Sequence, residues 1–198
     1  MKEERGKRKY LLTVFAAALA IVPERAFAAE GAICPPKRAE ENIVSVELPV
    51  QDENEGYPFD FILDPQGLLY ETDAMRYGGG TVEEGAALLF RNREGEYDFS
   101  GTSDRLTVTN RGSGSVRITV SAQVSGLGEM SLQEDADFCD SQACSIYLAL
   151  TDSEGHVQPL CAEEEVLITY EMDSDTYSFG LSGACNSNAD WEHMSVYP

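Results

Sequence analysis

The chain has 198 residues, 42% of them hydrophobic, with 14 basic and 35 acidic side chains and a formal net charge of −21. That length suits one self-sufficient core. A field of that sign repels nucleic acid and anionic lipid, so nucleic-acid recognition is excluded.

Residues 1–9 carry Lys2, Arg5, Lys7, Arg8 and Lys9, and residues 10–22 are then almost wholly apolar. Pro23 ends the run, and Ala26-Phe27-Ala28 sets small residues at the −3 and −1 positions of a cleavage site. A basic start, a short apolar stretch and an Ala-x-Ala exit together predict a secretory signal segment over 1–28, cut between Ala28 and Ala29. The 13-residue apolar run is too short for a permanent membrane helix, which needs about 20 residues. The mature chain is therefore expected outside the cytoplasm, secreted or at the cell surface, without stable membrane insertion. Residues 1–28 hold six of the 14 basic and three of the 35 acidic residues, so the mature chain keeps 8 and 32, a net charge of −24. Such a charge favours solubility, cations and basic partners.

Residues 29–41 are small, charged and proline-containing, and are expected to form a flexible leader before a single domain over 42–198. Residues 43–50 alternate apolar and polar, which predicts a strand with Pro49 near its end. An acidic turn follows at 51–56, and Phe59, Phe61 and Leu63 mark the next strand. Asp64-Pro65 reads as a helix N-cap with proline at the first helical position. Leu68, Leu69, Thr72 and Met75 can then share a helical face up to Tyr77, before Gly78-Gly79-Gly80 ends it. Gly67 weakens that helix, and a loop with one helical turn is the alternative.

Beyond Thr81 the pattern is strand and turn: a strand at 87–93, a short extended piece at 96–99, then two alternating runs at 105–110 and 116–124. Gly112-Ser113-Gly114 joins the two runs, and the pair reads as a hairpin. Its apolar face is made by Leu106, Val108, Val116, Ile118, Val120 and Val124. Further strands are expected at 145–151, 165–172 and 176–183. The first closes on Asp152-Ser153-Glu154-Gly155, a hairpin turn with glycine where φ is positive. Recurrent strands without a long helical pattern predict an all-β fold, an antiparallel β-sandwich of immunoglobulin-like or jelly-roll type with at most one short helix. Ser195-Val196-Tyr197-Pro198 begin another strand pattern and stop, either as the end of the protein or as a break within a longer one.

All five cysteines lie in the mature chain, and an exported chain meets a disulfide-permissive space. Cys34, in the proline-containing leader, is the odd one out. Cys139 and Cys144 are spaced for a bridge across a turn, which leaves Cys161 and Cys185 as the complementary pair. The alternative is that some of these thiols are small buried side chains that never pair. The context for lipidation of Cys34 is absent. Cys139-x4-Cys144 is loose for zinc, and His156 and His193 stand alone.

Calcium is the one cofactor with a candidate. Asp52 and Asn54 open like a calcium loop, but Tyr57 stands where glycine is needed and Leu63 where a bidentate glutamate belongs. Asp135, Asp137 and Asp140, and the pair Asp173 and Asp175, are further acidic groups. No catalytic residue is assigned. Gly180-Leu181-Ser182-Gly183-Ala184 lacks the second glycine of a nucleophile elbow and falls in a predicted strand. Cys185 and His193 do not make a convincing nucleophile–base pair in an oxidising space. Among 32 acidic residues no glycosidase pair is singled out. Tyr70, Tyr77, Tyr97 and Tyr197 fall in loops or ends, where turn packing explains them.

The string from Leu106 to Val120, LTVTNRGSGSVRITV, resembles the strand, Asn-x-Gly-Ser, strand hairpin of bacterial surface β-sandwiches. It is similar to hairpins of TasA- and camelysin-like matrix-fibre proteins and of WxL cell-wall-binding domains. The resemblance implies a Gram-positive secreted or surface structural protein and carries over no catalytic residue. The single tryptophan, Trp191, is followed by Glu192 and His193, so the Trp-x-Leu motif is missing. The function expected is that of a secreted or cell-surface structural or binding protein without catalysis, with a protein or a cell-wall carbohydrate as partner. A carbohydrate-binding or adhesive module is the alternative, and an extracellular hydrolase a third.

Overall fold

The computed structural model describes residues 14–15, 20–23, 45–49, 58–71, 80–93, 95–138, 142–162, 164–173 and 175–191. In chain order its elements are β1 (Val14–Phe15), β2 (Ala20–Pro23), β3 (Val46–Glu47), β4 (Phe61–Leu63), α1 (Leu68–Glu71), β5 (Leu88–Arg91), β6 (Phe99–Ser100) and β7 (Leu106–Asn110). They continue with β8 (Val116–Val124), β9 (Ser131–Gln133), β10 (Ser145–Asp152), β11 (Val157–Pro159), β12 (Val166–Met172) and β13 (Thr176–Cys185). Among the described residues no helix is long and apolar enough to cross a membrane.

The strands form three sheets. The largest runs β11-β10-β13-β7-β3, with β9 also paired to β10. A smaller sheet holds β8 between β12 on one side and β1 and β2 on the other, and a third runs β4-β5-β6. Most pairings are antiparallel; β9 meets β10 in parallel. Period-two alternation builds the core, because every second side chain of a strand points to the same face. Val116, Ile118, Val120 and Val124 of β8 meet Val108, Ile146, Leu148, Tyr177 and Leu181 of the large sheet in one buried cluster. Leu69, Val82, Leu89 and Phe99 form a small second cluster around the third sheet. This is the all-β, sandwich-like architecture expected from the strand pattern.

Close packing of the third sheet on β13 explains one glycine. A Cβ at Gly183 would lie 2.7 Å from Leu88 Cδ2 and 3.0 Å from Leu148 Cδ2. Both leucines are fully buried, so neither has room to swing away.

The expected hairpin over 105–124 is corrected. β7 pairs with β13 and β3, whereas β8 pairs with β12, β1 and β2. The chain arches from one sheet to the other at Gly112-Ser113-Gly114, and the two apolar faces oppose each other across the core. Alternation specifies a buried face but not which strand lies alongside. Asn110 pins the arch: its amide nitrogen donates to Gly114 O at 2.8 Å and to Asp173 O, and its side-chain oxygen accepts from Gly112 N at 2.9 Å. The predicted inward residues Val108, Val116, Ile118, Val120 and Val124 are buried, and Leu106 is half-buried against them.

The helix starts later than Asp64-Pro65 predicts. Gly67 takes φ 66°, which turns the chain between Pro65 and the first helical residue, so α1 starts at Leu68. Asp64 still caps it, its two oxygens accepting from Leu68 N at 2.9 Å and Leu69 N at 2.8 Å. Thr72, Met75 and Tyr77 lie outside the described residues. The hairpin of β10 and β11 forms as expected, with Gly155 at φ 89°. β9 has no alternating pattern long enough to predict it.

Candidate functional site

β8 is nine residues long and carries one charged side chain, Arg117. Its small and β-branched residues suit a pleated strand. On one side β12 pairs along it from Val166 opposite Ala122 to Met172 opposite Val116. Thr119 and Thr169 bring their hydroxyls to 3.3 Å across that pair, and Arg117 Nε donates to Glu171 Oε1 at 3.0 Å. On the other side, among the described residues, β8 is met by β1 and β2. Val14 and Phe15 face Val124 and Gln123, and Ala20, Ile21, Val22 and Pro23 face Thr119, Ile118, Arg117 and Val116. These six residues all belong to the expected signal segment.

That edge differs from the other borders of the fold. β3 has two residues and β11 three, and short edges resist added strands. β12 is seven residues long with one charged side chain, Glu171, as β8 has Arg117, and what sets it apart is its entry through the exposed Glu164 and Glu165, since charge blunts an edge. β8 without β1 and β2 would present the main-chain donors and acceptors of every second residue along a nine-residue strand, beside a buried apolar face.

A second feature is the turn closing β10 and β11, built on a carboxylate with no solvent exposure. Asp152 Oδ1 accepts from Glu154 N at 2.9 Å and His156 N at 2.8 Å. Its Oδ2 accepts from Tyr177 Oη at 3.0 Å and lies 2.7 Å from His156 Nδ1. Arg105 Nη1 donates to the Asp152 carbonyl at 3.2 Å. Tyr177 stacks on Tyr170 with ring centres 4.5 Å apart. Burial alone would raise the Asp152 carboxyl, but hydrogen bonds from His156 and Tyr177 and the His156 charge together hold it below its usual range. All of these bonds tie strand ends to a turn, so the cluster locks a hairpin. Sequence reasoning singled out the turn but not Asp152 as its centre.

Among the described residues the expected bridge between Cys161 and Cys185 is not formed. Cys144, Cys161 and Cys185 are free thiols. In the register of β10, Pro159 faces Ala149 on one side and Cys185 faces Ile146 on the other. β10 therefore separates the strand leading to Cys161 from Cys185, two strand spacings or ~10 Å, beyond the Cα separation a bridge tolerates. Cys185 is buried, donating to Ala87 O at 3.1 Å, and burial, reinforced by Asp64, pushes its thiol up to about 12. Cys144 contacts Asp190 O at 3.4 Å. The expected partner of Cys144, Cys139, lies outside the described residues, as do Cys34, Ala28, Ala29, Asp52, Asn54, Asp140, His193 and Tyr197.

The remaining acidic candidates are engaged locally. Asp135 Oδ1 accepts from Asp137 N at 2.9 Å, Asp175 Oδ1 from its neighbour Thr176 N at 2.7 Å, and Asp173 from the Ser115 hydroxyl. Among the described residues no three His, Cys, Asp or Glu side chains are arranged to hold a metal ion. Ser182 sits within β13, opposite Ala149, in extended backbone rather than on an elbow. Comparison with protein-family models, curated protein sequences and solved structures finds no match for this chain.

Proposed function

We propose that the protein is exported and acts as a non-catalytic structural or binding protein, secreted or held at the cell surface, through contacts made by strand edges. The observation that carries this reading is the far edge of β8, whose partners β1 and β2 lie within the segment that export removes. A long, nearly uncharged strand edge is a template for another polypeptide. The acidic composition and the arrangement of Asp152 as a turn lock rather than a reaction centre also favour contact over bond chemistry. The large hydrophobic side chains exposed among the described residues include one aromatic, Tyr70, so sugar stacking on an aromatic platform is the less favoured reading.

The test is export from a bacterial host, followed by N-terminal sequencing and intact mass of the extracellular protein. A mature form beginning at Ala29 supports the reading. An exported form retaining residues 1–28, or a protein confined to the cytoplasm, contradicts it.

A further inference from the structure

The pairing along β8 says what kind of strand the edge accepts, given an exported mature chain. From Phe15 to Ala20 the signal segment takes five residue steps, while β8 takes four from Gln123 to Thr119. The two paired stretches are thus offset by one residue in antiparallel register, and together they reach both ends of β8. The sequence before Val14 is basic, with Arg5, Lys7, Arg8 and Lys9. Val14 pairs at the Val124 end of β8, beside the entry to β12 through Glu164 and Glu165, both exposed. Apolar strand and basic flank therefore match apolar edge and acidic border. We propose that the β8 edge is a strand-acceptor site for an apolar strand with a basic flank on another polypeptide, occupied by the signal segment in the precursor and vacated on cleavage after Ala28.

A second copy of the mature chain does not fit this description. Each copy carries a net charge of −24 with 8 basic residues left, and like fields oppose close approach. In the precursor the tethered segment competes at an effective concentration on the order of millimolar, which closes the site to strands in solution. Main-chain hydrogen bonds supply affinity in such additions, and alternating side chains fix the register.

The experiment measures binding of a synthetic peptide of residues 5–24 to the mature chain 29–198 and to the full chain 1–198 made without export. The mature chain is expected to bind one peptide at least about tenfold more tightly than the full chain does, because the full chain holds its own strand in place. Replacing Arg5, Lys7, Arg8 and Lys9 by Gln weakens binding about tenfold, and added salt narrows the gap. If the mature chain gains ordered β structure only with peptide present, that gain reads the same occupancy. Equal binding to both chains overturns the signal segment as occupant while leaving the exported reading intact. No binding to either, or equal binding of a scrambled peptide, overturns the acceptor site. Self-association of the mature chain through β8 overturns the choice of partner. The N-terminus of the exported protein is read separately, so failure of export is distinguishable from each of these.

Discussion

The hydroxyl of Tyr177 donates a 3.0 Å hydrogen bond to Asp152 Oδ2, tying β13 to the turn between β10 and β11 where the carboxylate is buried. Asp152→Ala leaves two backbone N–H groups and the Tyr177 hydroxyl without their acceptor. The expected cost is about 3 kcal/mol, and Tyr177→Phe should cost about 2 kcal/mol. Denaturant titration measures both.

The same pair sets two limbs of the pH profile. The Asp152 carboxyl is held low, so its contribution is complete above about pH 4 and disappears as pH falls through the folded value. Tyr177 is raised, first by burial and then by the Asp152 hydrogen bond and charge. Its contribution is complete below about pH 10 and is lost as pH climbs beyond, where the unfolded chain ionises first. Thermal midpoints across pH should show Asp152→Asn flattening the acid limb and Tyr177→Phe the alkaline limb.

The arch between β7 and β8 depends on Asn110, which is buried and satisfies groups on both sides of the crossing. Asn110→Ala is expected to destabilise the fold by about 2 kcal/mol. Proteolysis in the native state should shift to residues 111–115. An unchanged midpoint would show that the arch is held by other contacts.

Ile118 is fully buried, and its neighbour Thr119 points to the opposite face, beside Thr169. Ile118→Asp buries an unpaired carboxylate and should cost about 4 kcal/mol or more. Thr119→Asp should cost about 1 kcal/mol or less. Equal costs, read by circular dichroism in urea, would contradict this assignment of the buried and open faces of β8.

Thiol labelling separates the cysteines. Cys161 is half-buried, whereas Cys185 is buried with its thiol pushed up to about 12, so little thiolate is present at neutral pH. Native alkylation should modify Cys161 first and Cys185 only on unfolding. A Cys161–Cys185 linkage in non-reducing peptide maps would contradict the strand order around β10.

The strands themselves were legible because side-chain alternation is a local property. Val116 to Val124 shows its buried face in the sequence, and the turn at Asp152–Gly155 announces the hairpin that forms there. Strand partners are not local: β7 and β8 share a pattern and a short connection, yet Gly112 to Gly114 carries the chain between sheets. Cysteine spacing is silent on partners for a related reason, since the distance from Cys161 to Cys185 along the chain does not register that β10 lies between the strand before Cys161 and Cys185. The candidate edge was hidden because residues 10–22 read as a translocation signal, and apolarity of that kind also suits a strand. Asp152 looked like one acidic turn residue among many; its hydrogen-bond partner Tyr177 lies 25 residues further on.

Hydrogen exchange along β8 tests the central claim most directly. In the full chain the amides of residues 116–119 and 123–124 facing β1 and β2 should be slow, as should those held by β12 on the other side. In the mature chain those facing the vacated edge should exchange at least about tenfold faster, with the amides of β10 unchanged and protection restored by the 5–24 peptide. Equal protection of β8 in the two forms would contradict the account.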